Sequence, residues 1–300
     1  MKLQLTLFLT IPFYFGCSNA ETYTANSSLI SAEVVSSYVD SLISDTKNNF
    51  VLIDMQSLEE FKKEHIYGAV NVTRDQISNE AYDANGNSSK KDLESLLSSL
   101  GVTTNDQIII YDNKQNTDAC RLWWLLTVFG HEKVAVLDGG FDHFKTLKVN
   151  LTDNIILREP NEYHFSGKER KDIFASMDDI KTGMQDKNTV ILDVRSLEEY
   201  KGTKTKDGAA YGGNIKGCEH LEFKSALNEG GSKNQCFKNA EELKKMFAKK
   251  GVTPDKKIIV YCHSGTRSAN TTFVLTQLMG FKNVSNYDGS WQEWSQSTKK

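Results

Sequence analysis

Apolar residues along this chain gather into short runs that are β-branched and apolar at successive positions: VLIDM at 51–55, IIIYD at 108–112 and VAVLD at 134–138. Runs of that length, with no polar alternation, predict parallel strands covered on both sides. Between them the period changes. KKDLESLLSSLG at 90–101, DACRLWWLLTVFG at 118–130, NAEELKKMFAKKG at 239–251 and RSANTTFVLTQLMG at 267–280 carry helical spacing, and each ends on a glycine, a common helix stop. Strands alternating with helices predict an open parallel sheet with helices on both faces.

The pattern occurs twice. FVLIDMQSLEEF at 50–61 resembles VILDVRSLEEY at 190–200, and GVTTNDQIIIYD at 101–112 resembles GVTPDKKIIVYC at 251–262. VAVLDGGFDHF at 134–144 resembles VSNYDGSWQEW at 284–294. Asp54 pairs with Asp193 at an offset of 139, whereas Asp112 pairs with Cys262 and Asp138 with Asp288 at an offset of 150. The change implies an insertion after Tyr200, in KGTKTKDGAAYGG. This is a duplicated domain, too long to be a solenoid unit. The expected organisation is an N-terminal domain over 21–149, a linker over 150–165 whose proline and charges break the periodicity, and a C-terminal domain over 166–300.

Composition changes this picture little. A net charge of -3, mixed along the 300 residues, shows no nucleic-acid footprint. Residues 1–20 stand apart: one lysine, an apolar stretch from Leu3 to Gly16, then Ser18-Asn19-Ala20. That stretch is short for a membrane span and reads as a signal peptide, so an exported protein (periplasmic or secreted) is expected. Gly16-Cys17-Ser18 leaves a lipid anchor at Cys17 as an alternative. Six Asn-x-Ser/Thr sequons, at Asn26, Asn71, Asn87, Asn150, Asn270 and Asn283, matter only if the host glycosylates.

Candidate chemistry concentrates at VYCHSGTRSA, 260–269. Cys262 closes an apolar strand, where open α/β sheets place their ligand sites. The loop that follows leads into a helix, whose N-terminus offers free N–H donors and partial positive charge. Both lower a thiol pKa. Gly265 supplies backbone freedom and Arg267 a fixed charge, with His263, Ser264, Thr266 and Ser268 completing the loop. The first copy has Asp112 in place of the cysteine and lacks the glycine and arginine, so it is expected to be inactive. Cys120, Cys218 and Cys236 show no metal-ligand spacing; Cys218 and Cys236 could pair in an oxidising compartment. No metal and no organic cofactor are expected.

These motifs resemble the tandem-domain rhodanese family of thiosulfate and 3-mercaptopyruvate sulfurtransferases. VSNYDGSWQEW matches the family's C-terminal signature, and FKKEHIYGAVNV at 61–72 its N-terminal one, with Tyr67 where proline is usual. The resemblance implies two tandem α/β domains, the second catalytic. It implies that Cys262 takes a sulfane sulfur as a persulfide and passes it to cyanide, a small thiol or a thioredoxin-like acceptor. It also implies that Arg195 holds the anionic donor, in a protein expected to be monomeric. A second arginine typical of mercaptopyruvate enzymes is replaced by Glu199, which points to thiosulfate. Two alternatives stand beside this reading. One is an exported binding or scaffold protein on the same fold. The other is a cysteine-dependent phosphatase or arsenate reductase, disfavoured because those loops are Cys-x5-Arg and this one is Cys-x4-Arg.

Overall fold

A computed structural model describes residues 28–44, 50–78, 87–230 and 235–299. The leader, its cleavage site, Cys17 and Asn26 lie outside these residues. Two five-stranded sheets carry the fold. The first is built from β1 (Leu29–Ile30), β2 (Phe50–Asp54), β4 (Val70–Asn71), β5 (Gln107–Tyr111) and β6 (Val134–Leu137), in the order β1-β6-β5-β2-β4. The second is built from β8 (Phe174–Ala175), β9 (Thr189–Asp193), β10 (Glu219–His220), β11 (Lys257–Tyr261) and β12 (Val284–Tyr287), in the order β10-β9-β11-β12-β8. Read from the opposite edge, the second order repeats the first strand for strand, and every pairing in both sheets is parallel. The duplication seen in sequence is therefore a duplication of topology.

Helices cover both faces of each sheet, as the uninterrupted apolar strands require. The first repeat carries α1 (Ala32–Ser44), α2 (Leu58–Lys63), α3 (Arg74–Ser78), α4 (Asn87–Ser99), α5 (Thr117–Val128) and α6 (Gly140–Phe144). The second carries α7 (Met177–Gly183), α8 (Leu197–Lys201), α9 (Ala240–Ala248), α10 (Thr266–Phe273) and α11 (Ser290–Ser297). In β2, Val51 and Ile53 face one core while Leu52 faces another, the two-residue alternation of a pleated strand. The duplicated S-x-x-E of SLEE forms a capping box at the start of α2 (Ser57, Glu60) and again at α8 (Ser196, Glu199).

One apolar core runs through both repeats. It joins Val51, Ile108 and Val136 of the first sheet to Leu192, Val260 and Val284 of the second. The join is made by α5 and α10, the two equivalent helices, where Trp123 meets Phe273 edge to face with ring centroids 4.9 Å apart. Polar contacts reinforce it. The Phe237 N–H donates to Asp138 Oδ1 at 2.9 Å, and Asn270 Nδ2 to the carbonyls of Gln115 and Asn116 at 3.3 Å. Asn270 is fully buried at this boundary, so its sequon cannot carry a glycan in the folded protein.

The stretch expected to be a plain linker is a strap along the first repeat. Leu151–Thr152 forms β7, antiparallel to β3 (His65–Ile66). Further on, the Asn161 N–H donates to the Ser98 carbonyl, and buried Tyr163 places its hydroxyl 2.9 Å from His131 Nδ1. A segment without periodicity acquires order here because several of its residues find partners in other elements.

A core shared by both repeats couples their unfolding. Trp123→Ala is expected to cost about 3–5 kcal/mol and to leave a single urea transition, seen alike by fluorescence and circular dichroism. Two well-separated transitions in the unmodified protein would contradict the continuous core.

Candidate active site

Strand β11 ends at Tyr261, and Cys262 follows at the C-terminal edge of the sheet with 1% of its surface exposed. Three residues later Gly265, at φ +78°, opens α10. A side chain at that position would be strained by the positive φ and would collide with Asp288 Oδ1. The loop is fixed from behind by Ser290, whose Oγ accepts the N–H groups of Cys262 and Gly265, both at 3.1 Å, and donates to the Tyr287 carbonyl. Ser290 itself sits at φ +51°, buried, which is unusual for a side-chain-bearing residue. Asn286 Nδ2 holds the Gly265 carbonyl at 3.1 Å.

This frame leaves the loop's remaining donors for the sulfur. Ser268 Oγ lies 3.4 Å from Cys262 Sγ, and the backbone amides of Ser264 and Ser268 favour its anionic form. Burial pushes the thiol up, but the Arg267 charge, the Ser268 hydroxyl and these amides outweigh it, so the Cys262 pKa falls below its ordinary value. By contrast, burial raises Cys218 to about 12 and Cys120 well above the normal thiol range. Unlike Cys120 and Cys218, Cys262 has surroundings that shift it toward the thiolate.

The two arginines expected to bind the donor sit differently. Arg267 forms a two-pronged pair with Glu199, Nη1 to Oε2 at 2.6 Å and Nη2 to Oε1 at 2.9 Å. Glu199 is thus both the capping residue of α8 and the partner of Arg267. Burial works against its charge, but the Arg267 contact prevails and lowers its carboxyl to about 2. Arg195 is the more deeply buried of the two, at 1% exposure. Its side chain is buried, hydrogen-bonded to Asp193 through Nε and Nη2 and to the Gly213 carbonyl, and stacked over Trp291 at 4.6 Å. A guanidinium matched on Nε and Nη2 by a carboxylate and a carbonyl braces the sheet edge.

His263 Nε2 lies 3.0 Å from the Asp207 carbonyl, and desolvation lowers its pKa, so the ring is neutral at pH 7. Asp207 belongs to the inserted segment, which also binds α11 through Gln296 to the Gly208 carbonyl and Trp291 to the Tyr211 carbonyl. The insertion therefore forms one wall of the site. Ser264 is exposed and Thr266 half-buried at the start of α10. Cys218 and Cys236 are not joined in a disulfide: Cys218 Sγ faces the Tyr261 hydroxyl at 3.3 Å, whereas Cys236 lies against Gly139 of the other repeat. Among the described residues there is no cluster that could hold a metal ion.

Several site residues were not singled out from sequence because the first repeat supplies them. Arg121 on α5 forms a buried ion pair with Asp288, and Arg74 on α3 lies 3.5 Å from Asp118 and feels the charge of Cys262. Their signal was available only in part: Asp288 lies in the C-terminal signature, but nothing local to it names a partner 167 residues away. The first repeat also keeps a cradle. Gln115 and Asn116 take positive φ without glycine, and the N–H groups of Lys114, Asn116, Asp118 and Ala119 all donate to the Asp112 carboxylate at 2.8–2.9 Å. Although this copy lacks the cysteine, glycine and arginine, the loop is present and filled by its own side chain.

With this geometry in place, comparison with known proteins is direct. The rhodanese-like domain matches this chain twice, over residues 37–147 and 176–297. The chain belongs to the rhodanese family. It is 32% identical over 277 residues to a putative thiosulfate sulfurtransferase of Haloferax volcanii, covering 89% of this chain and 92% of that one. It is 31% identical over 218 residues to the sulfur carrier protein TtuD of Thermus thermophilus, covering 69% of this chain and 74% of that protein. The Tum1 protein of Saccharomyces cerevisiae has the same fold, with a TM-score of 0.74 at 24% identity over 90% of this chain and 95% of Tum1.

Iodoacetamide alkylation of Cys262 should titrate below the normal thiol value near 8.5. Arg267→Gln should move that midpoint up by about one unit or more. Glu199 has a folded pKa below its unfolded one, so its contribution to stability is complete above about pH 4.5 and is lost as pH falls toward 2. Glu199→Gln should therefore flatten the decline in thermal midpoint between pH 5 and 3, and an unchanged decline would exclude the ion pair as its source.

Proposed function

We propose that this protein transfers a sulfane sulfur from thiosulfate to a nucleophilic acceptor through a persulfide on Cys262. The observation that carries the proposal is a buried cysteine at the strand end with a lowered pKa, in a loop whose N–H groups converge on one atom. In the first step the thiolate attacks the outer sulfur of thiosulfate, the S–S bond breaks, and sulfite leaves with the bonding pair. The loop donors that held the thiolate then hold the anionic persulfide. In the second step cyanide or a thiolate attacks the outer sulfur, and the Cys262 thiolate is released. Protons and electrons balance without a metal or an organic cofactor.

The site supports thiosulfate over 3-mercaptopyruvate. A planar carboxylate is best held by a two-pronged arginine. Arg267 already spends that geometry on Glu199, and Arg195 is enclosed by Asp193. Thiosulfate, a compact dianion, needs positive potential rather than a fork. The thiosulfate sulfurtransferase name carried by the Haloferax volcanii relative points the same way. The short Cys-x4-Arg loop also argues against a phosphatase or arsenate reductase, and the complete loop argues against a purely binding or scaffold role. Export of the mature chain, with or without a lipid at Cys17, and action as a monomer belong to the same proposal.

Cys262→Ser should keep the fold and lower sulfur transfer to cyanide by about 10³-fold or more. Intact mass after thiosulfate treatment should rise by one sulfur in the unmodified protein and not in the variant. Side-by-side kcat/KM values should favour thiosulfate, and a preference for mercaptopyruvate would reject the donor assignment.

A further inference from the structure

We propose that Arg121, contributed by the first repeat, is a positioning residue for the thiolate of the second: it neutralises Asp288 beneath the 262–268 loop and so preserves the loop's positive potential. The proposal takes Cys262 as the reactive thiol. It goes further by giving the repeat without a nucleophile a defined part in the chemistry.

The geometry is specific. Arg121 Nη1 and Asp288 Oδ1 form an ion pair in which both side chains are almost wholly buried, at 4% and 3% exposure. The pair lies directly behind Gly265: a Cβ at that glycine would collide with Asp288 Oδ1 and come within 2.9 Å of Arg121 Nη1. Gly265 is the residue that turns the chain into α10, and Asp288 directly precedes the Gly289-Ser290 pair that anchors the Cys262 and Gly265 amides. The guanidinium is held in place by stacking over Trp124, 4.9 Å from its ring. Arg121 and Trp124 share α5, so the whole device arrives with the helix that docks on α10.

A carboxylate at this depth is screened little by solvent. Left alone, Asp288 would place a negative charge against the loop whose N–H groups stabilise the sulfur anion. Of the other charged groups around the loop, Arg74 also feels the charge of Asp288. Arg267 is matched by Glu199 and Arg74 faces Asp118, while Asp193 is matched by Arg195. His263 is neutral, and Lys206 is exposed on the inserted segment. Arg121 forms the buried ion pair with Asp288, and it comes from the other repeat.

The test is the pH dependence of iodoacetamide alkylation of full-length protein, with the modified peptide mapped to Cys262. Arg121→Gln should raise the thiol midpoint by about one unit, making alkylation near pH 7 roughly tenfold slower. Arg121→Lys should keep the midpoint near that of the unmodified protein. The double variant Arg121→Met with Asp288→Asn removes both charges and should return the midpoint to within a few tenths of a unit of the starting value. A structural role alone would not make the midpoint follow the charge. If Arg121→Gln does not fold, Asp288→Asn alone decides, because it leaves Arg121 unopposed and should lower the midpoint. An unchanged midpoint in Arg121→Gln, or in Asp288→Asn where Arg121→Gln does not fold, overturns the role of Arg121. A Cys262 with an ordinary thiol midpoint in the unmodified protein would instead overturn the assignment of the nucleophile.

Discussion

A loop of inward-pointing backbone amides at the end of a buried strand requires an anion, and the molecule is organised around meeting that requirement twice. Buried N–H groups are costly to leave without acceptors. In the second repeat the acceptor is the Cys262 sulfur, with Ser264, Ser268 and the Arg267 charge tuned toward it. In the first it is the carboxylate of Asp112, which receives four N–H donors from the same turn. The consequence for chemistry is decisive. A carboxylate fills the cradle permanently, whereas a sulfur can accept another sulfur and give it away.

That difference assigns the repeats different work without making the first dispensable. Helices α5 and α10 are equivalents that pack on each other, so each repeat's loop stands at the edge of the other's helix. Contacts cross in both directions: Asp138 of the first repeat receives the Phe237 N–H, and Asp288 of the second receives Arg121. Duplication followed by divergence at position 112 leaves a partner that shapes the site of its twin. The inserted segment after Tyr200 adds a wall that the first repeat does not have.

Much of this was legible in the chain. The strand and helix pattern, the duplication, the capping boxes of SLEE and the position of Cys262 at a strand end all follow from local rules with short range. Arg267 was legible as a charge close to the cysteine. What the sequence left open was which partner each charged or aperiodic residue would take. Arg195 and Glu199 look alike from sequence, two charged side chains after a strand. Asp193 and Trp291 claimed the first, and Arg267 claimed the second. The 150–165 stretch has no period of its own because its order comes from β3, Ser98 and His131 rather than from its neighbours.

The sequence by itself therefore determined the class of fold, its repetition and the candidate nucleophile, since each rests on hydrophobic period, repeated motif and residue chemistry within a few positions. The tertiary structure alone decided which charges remain available to a substrate. An ion pair depends on distance and burial, and neither is written in the spacing of Arg121 and Asp288 along the chain. Only when α5 docks on α10 does a carboxylate behind the loop meet its counter-charge.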